Sequence, residues 1–175
     1  MQIVKAFTFI FVCSLLFMAA KPAKKQTVNW LTPARLQESF AKEPRPILID
    51  MYTHWCGWCK VMDKETYAKD EVANYINTHY YALKFDAESK EDVIWAGKKY
   101  AYNTTYKTNE LAIYLMGGQM SYPTTVFLTK LDGQPAPLPG YLKPNEIEAP
   151  LKYFGDGAYK TKSFQQFNQA FKASW

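Results

Sequence analysis

Cys56 and Cys59, two residues apart in Trp55-Cys56-Gly57-Trp58-Cys59-Lys60, are the residues in this chain best suited to do chemistry. Cysteines at that spacing fit the first turn of a helix, close enough to form and break a disulfide. The apolar run Ile47-Leu48-Ile49-Asp50-Met51-Tyr52 just upstream reads as a buried strand, so the pair falls at a strand-to-helix junction. The thiolate is the reactive species, and unpaired backbone N–H groups at a helix start favour negative charge there. Each unit by which a thiol pKa falls is worth about 1.4 kcal/mol of preference for the thiolate. Dithiol–disulfide exchange is the chemistry this pattern suggests. The pair could also be half of a zinc site, but such a site needs four ligands. Only His54 and His79 remain to complete it, so no metal and no cofactor is expected. Haem attachment would need a histidine after the second cysteine, where Lys60 stands.

The elements that must position this pair can be read around it. Thr32-Pro33 opens a helix, with Thr as cap and Leu36 and Phe40 on one face, and Pro44 and Pro46 end it. After the strand at 47–52 comes the helix carrying Cys59 and Met62. A further helix follows, which Asp70 could cap and which runs through Val72, Tyr75 and Ile76. Tyr80 to Phe85 is the next strand, and strand–helix–strand makes a parallel βαβ unit. Between Glu88 and Lys107, the segments Val93–Ala96 and Lys99–Tyr102 flank Gly97-Lys98 and fit either a small hairpin or a helix. Asn109 to Met116 reads as a helix stopped by Gly117-Gly118. Thr125 to Leu128 and a segment reaching about Leu138 are joined by a turn at Lys130–Gly133, which predicts an antiparallel pair. Pro144 to Phe154 is a closing helix broken by Gly155-Asp156-Gly157. Ser163 to Lys172 forms one more, with Phe164, Phe167 and Phe171 on one face.

Residues 1–20 look like a secretory signal: Lys5 supplies a positive start, Ala6 to Ala20 is almost wholly apolar, and small residues close it. The apolar stretch is short for a membrane span of about 20 residues, although an uncleaved N-terminal anchor stays open. Cleavage after Ala20 would remove Cys13 and leave Cys56 and Cys59 as the only cysteines. An exported chain with one closely spaced pair does not resemble a disulfide-stapled scaffold, so the pair is expected to turn over. Residues 21–31 then form a lead, polar and expected to be flexible over Lys21–Val28, and 32–175 a single domain. The net charge of +5 is mild and the lysines are scattered, so nucleic-acid binding is not expected. The 13 tyrosines and 11 phenylalanines suit a β-containing core and an apolar peptide-binding surface.

Ile47 to Lys60 as a whole resembles the active-site region of thioredoxins, and Tyr122-Pro123-Thr124-Thr125-Val126-Phe127-Leu128 resembles that family's cis-proline loop and following strand. The Asp132-Gly133 turn, Gly140-Tyr141 and the closing helix come in the family's order, so the resemblance covers roughly Ile47 to Phe154. It is most similar to exported bacterial thioredoxin-like proteins. The resemblance implies an α/β fold with a mixed central sheet flanked by helices. Here it would carry an insertion before the cis-Pro loop, at Glu88 to Gln119, and an extra C-terminal helix. It implies that Cys56 is the exposed nucleophile and that Cys59, one turn deeper, resolves the mixed disulfide. Asp50, six residues before Cys56, would be the buried acid that takes the proton from Cys59; burial should raise its pKa. A strand-end Asp50 that only caps or faces solvent is the alternative. Pro123 would carry a cis bond after Tyr122 and present its backbone to an extended substrate. Trp55 and Trp58 would form an apolar rim around the sulfurs. Trp58 stands where typical thioredoxins have Pro, and since that dipeptide helps set the potential, reductase, oxidase and isomerase stay separable only by measurement.

Together these readings give an exported or periplasmic thiol–disulfide oxidoreductase acting on protein thiols and disulfides, preferentially as a reductant. It would draw electrons from a source such as a membrane-bound reductase and would touch the membrane only through an uncleaved signal. A non-catalytic peptide-binding module with a static disulfide is the alternative. A copper chaperone is a weaker third idea, since no methionine cluster or third ligand accompanies the thiols.

Overall fold

Six consecutive residues that alternate between two apolar faces make β2 (Ile47–Tyr52) the centre of the molecule. A computed structural model describes residues 26–175 of the chain; the expected signal at 1–20, with Cys13, lies outside the described residues. β2 pairs in parallel with β3 (Tyr81–Asp86) and antiparallel with β8 (Thr124–Leu128), which pairs antiparallel with β9 (Ala136–Pro139). With Trp30–Leu31 as β1, the five-stranded order is β1-β3-β2-β8-β9, the mixed sheet expected from the sequence. β1 (Trp30–Leu31) is a finding the sequence did not announce. It is two residues long, too short for any periodicity, yet it pairs in parallel with β3. The lead is pinned from Gln26 onward: the Gln26 amide donates to Asp70, Asn77 brackets Thr27 and Asn29, and Val28 is buried. These contacts hold residues 26–28, part of the lead expected to be flexible, against the domain.

Helices cover both faces. α1 (Pro33–Lys42) begins as read, with Thr32 capping the Arg35 amide and Pro33 in the first turn. α2 (Gly57–Met62) continues into a π-helical segment, Asp63–Tyr67. α3 (Asp70–His79) has Lys69 rather than Asp70 at its cap, because Asp70 is already helical and holds the Gln26 amide. Strand alternation divides the core. Ile47, Ile49 and Met51 join Leu36 and Leu83 on one face, while Leu48 joins Met62, Tyr67, Val72 and Ile76 on the other.

The insertion resolves the choice between hairpin and helix in favour of the hairpin. β4 (Val93–Trp95) and β5 (Lys98–Tyr100) pair antiparallel around Ala96-Gly97, both at positive φ. The Gln37 side chain clasps this turn at Ile94 O (2.8 Å) and Ala96 N (2.9 Å). β6 (Tyr102–Asn103) and β7 (Thr108–Asn109) form a second small pair, and Asn109 caps α4 (Glu110–Leu115). Trp95, Leu111 and Leu115 are fully buried in the same core as β2. The insertion is thus built into the domain.

α5 (Pro144–Gly155) ends within Gly155-Asp156-Gly157, the break expected from the sequence, and the chain turns at Gly157 (φ 76°). At Gly155 an ideal Cβ would stand 2.7 Å from the Tyr75 hydroxyl, so the packing of that ring favours glycine there. α6 (Phe164–Ala170) is capped by Ser163 and Gln166 and lays Phe164 and Phe167 on Tyr153 of α5. Beyond it, the Glu148 carboxylate, fully buried on α5, accepts from Lys152 Nζ (2.7 Å), the Ser174 amide and hydroxyl (2.7 and 2.5 Å) and the Trp175 amide (3.1 Å). Burial alone raises this carboxyl, but the Lys152, Ser174 and Trp175 donors outweigh it and hold it down at about 2. A depressed native pKa stabilises the fold above the unfolded value of 4.5, and that contribution is lost as pH falls towards about 2. Glu148→Gln is expected to cost about 2 kcal/mol at pH 7 and to leave little difference from the parent near pH 2; urea denaturation at both pH values measures it.

Candidate active site

The chain leaves β2 at Tyr52 and turns immediately. Thr53 O accepts the Cys56 amide (3.2 Å), which places Cys56 at the N-cap of α2. From there its Sγ accepts the Cys59 amide at 3.0 Å, so a donor at the helix start aims at this sulfur. Cys56 and Cys59 are joined in a disulfide, with Cα atoms 5.4 Å apart. The expectation that Cys56 is exposed and Cys59 deeper does not describe this state: they are 4% and 3% exposed.

Trp55 and Trp58 themselves are exposed on the two flanks of the disulfide. Trp55 meets Tyr122 edge-on (5.9 Å) and donates Nε1–H to Glu88 Oε1 (2.9 Å), while Trp58 stacks on Tyr141 (5.5 Å). The Tyr122-Pro123 bond is cis. Pro123 O accepts the Gly140 amide (2.8 Å), tying this loop to the chain just past β9, where Gly140 has φ 100°. Trp58, Tyr122, Pro123, Gly140 and Tyr141 line a groove of about 250 Å³. Three of the four substrate-contact residues expected from the sequence, Trp58, Tyr122 and Pro123, thus share one groove, and Trp55 joins it through Tyr122.

Asp50 is buried on β2, the strand that leads into this turn. Alternation along β2 puts it on the Leu48 face, which packs against Met62 and Tyr67 beneath α2. At 1% exposure it is no solvent-facing strand end. Lys84, directly across on β3, reaches its Oδ2 at 3.0 Å, and Oδ1 has no partner among the described residues. Burial pushes the Asp50 carboxyl up to about 6 against the opposing pull of Lys84. Lys84 also bonds Asp63, and the Trp30 and Tyr52 rings lie 5.6 and 5.1 Å from its Nζ. Sequence reasoning missed Lys84, Asp63, Glu88 and Tyr141. The first carried a usable signal, because a lysine inside the strand Tyr81-Ala82-Leu83-Lys84-Phe85 is as anomalous as Asp50 in its own.

Among the described residues no three histidine, cysteine, aspartate or glutamate side chains are grouped to hold a metal ion. His54 pairs with Asp86 (3.2 Å) and His79 stacks on Tyr75 (4.0 Å). No helix of the described residues is long and apolar enough to cross a membrane.

Comparison with known proteins agrees with this geometry. Residues 20–156 match the Thioredox_DsbH family, described as "Protein of unknown function, DUF255". A stretch of 44 residues is 36% identical to the thiol:disulfide interchange protein DsbD of Pectobacterium atrosepticum, covering 25% of this chain and 8% of that protein. The chain spans 12% or less of the length of the first curated relatives it matches. Among solved structures, a thioredoxin-fold protein from Helicobacter pylori is 22% identical with a TM-score of 0.54, covering 72% of this chain and 79% of that one. A structure described as DsbH oxidoreductase is 14% identical with a TM-score of 0.54, covering 83% of this chain and 94% of that one. At these identities the structural likeness is one of fold. The chain has a thioredoxin-like fold and belongs to the Thioredox_DsbH family.

Proposed function

We propose that this protein is a thiol–disulfide oxidoreductase that exchanges disulfides with protein substrates, preferentially as a reductant. The observation that carries this is the Cys56–Cys59 disulfide at the start of α2, reached directly from β2, whose buried carboxylate Asp50 is held near the pH at which it can take and give a proton. In the reduced protein the Cys59 amide, aimed at Cys56 Sγ, favours the Cys56 thiolate. That thiolate attacks a substrate disulfide. A mixed disulfide forms, and the electron pair of the broken S–S bond leaves on the substrate sulfur, which is protonated from solvent. Cys59 then passes its proton to Asp50 and attacks Cys56 Sγ. This closes the Cys56–Cys59 bond and releases the second substrate thiolate. Tyr122 and Pro123 offer backbone to an extended substrate, and Trp55, Trp58 and Tyr141 flank it with apolar surface. Return to the dithiol requires an electron donor, which we place in a membrane. The export implied by residues 1–20 belongs to the same proposal, with a single domain that takes in β1 ahead of residue 32.

The low exposure of Cys56 favours one other reading, a peptide-binding module with a static disulfide. Incubation with a mild reductant, followed by alkylation and mass measurement, separates the two. Exchange predicts that both cysteines are labelled within minutes in the folded protein. A static bond predicts labelling only after denaturation.

A further inference from the structure

Lys84 stands between two carboxylates. Its ammonium contacts Asp50 Oδ2 at 3.0 Å on the buried side and hydrogen-bonds Asp63 Oδ1 on the outer side, where the Asp63 side chain is 42% exposed. Asp63 arrives there because the chain turns π-helical directly after α2, four residues past Cys59. The Trp30 and Tyr52 rings fix the cation between the two acids. Without Asp63, the full charge of Lys84 would act on Asp50 alone and hold it ionised. An acid held far below the working pH is a poor proton acceptor.

We propose that Asp63 is a positioning residue for disulfide exchange: by sharing Lys84 it keeps Asp50 basic enough to take the proton of Cys59. The inference rests on the exchange reading above. In the step concerned, the Cys59 S–H bond breaks and its proton goes to Asp50. The Cys59 sulfur bonds Cys56 Sγ, and the bond from Cys56 to the substrate breaks with its electron pair on the substrate sulfur. Burial is the largest influence raising the Asp50 carboxyl, Lys84 opposes it, and the Asp63 charge adds to the rise. The remaining titratable groups that feel Asp50 are Tyr52 on β2 itself and Tyr67 on the π-helical segment. The Tyr67 hydroxyl is engaged with Thr125 of β8 (3.0 Å). β8 presents no charge there, since Thr125 is the residue paired with Asp50.

The test is a 13C NMR titration of the Asp50 carboxyl in the oxidised full chain, for the parent, Asp63→Asn and Asp63→Glu. Asp63→Asn is expected to lower the Asp50 midpoint by about one pH unit, and Asp63→Glu to keep it. The pH profile of mixed-disulfide resolution should move by the same amount, with a loss of about threefold in rate at pH 7. A purely structural Asp63 would move neither. An unchanged Asp50 midpoint in Asp63→Asn overturns the inference while leaving the exchange reading intact. A parent protein that exchanges no disulfide overturns both, and the titration, which needs no turnover, tells the two failures apart.

Discussion

Cys56→Ser is expected to abolish disulfide exchange, a loss on the order of 10⁴-fold in rate, while the fold persists. Cys56 sits at the cap of α2 with the Cys59 amide on its sulfur, so the position marks it as the nucleophile of the pair. A serine hydroxyl can accept that same amide and preserve the cap, but it does not attack disulfides at neutral pH. The effect should be that of removing a nucleophile outright, which runs to several orders of magnitude. Cys59→Ser should behave differently. Its Cys56 still attacks, but no second thiol resolves the adduct, so a covalent complex with substrate accumulates. Non-reducing electrophoresis with a disulfide-containing protein reads both outcomes: no adduct for Cys56→Ser, and a reductant-sensitive adduct for Cys59→Ser. Should the two roles be exchanged, the adduct would appear in the other variant.

Asp50→Asn has the largest expected effect on stability, and it is a gain. In the native protein burial raises the Asp50 carboxyl from 3.8 to about 6, so the folded state holds a proton more firmly than the unfolded chain does. The penalty for ionising it is absent below pH 3.8, grows as pH rises through that interval, and is complete above about pH 6. At about 1.4 kcal/mol per unit this is about 3 kcal/mol, which the neutral amide avoids at pH 7.5. Lys84 keeps a partner in Asp63, so the substitution leaves no orphaned cation. Urea denaturation should show Asp50→Asn more stable than the parent at pH 7.5 and equal to it at pH 3.5. The same variant should slow resolution of the mixed disulfide about a hundredfold, because the proton acceptor for Cys59 is gone. A residue that costs stability and raises rate is the pattern expected of a functional group in a buried site.

Much of this was legible in the sequence, and what was not has physical reasons. The strand at 47–52, the helix after it, the hairpin turn at Lys130–Gly133 and the cap at Thr32 are local patterns: continuous apolar runs, turn chemistry and capping residues. The cis bond at Tyr122-Pro123 followed from family resemblance, since composition favours trans. β1 escaped because two residues carry no period and its pairing with β3 is long-range. The Lys84–Asp50 contact depends on strand register, which the sequence of one strand does not encode. Trp55 held by Glu88 joins residues 33 positions apart, and Glu148 reaches 26 positions forward to Ser174. Such contacts arise only once the sheet brings separate segments together. The low exposure of Cys56 was likewise unreadable, because burial depends on how separate segments pack and not on the residues beside it in the chain.

The most direct test of the central claim is the reduction potential of the Cys56–Cys59 couple, measured by equilibrating the full chain in thiol–disulfide buffers and following tryptophan fluorescence. Trp55 and Trp58 adjoin the two sulfurs in sequence and report the change. The account predicts a reversible two-electron transition on the reducing side, near about −270 mV. A transition near about −120 mV would make the protein an oxidant instead, and the absence of any transition would contradict exchange itself.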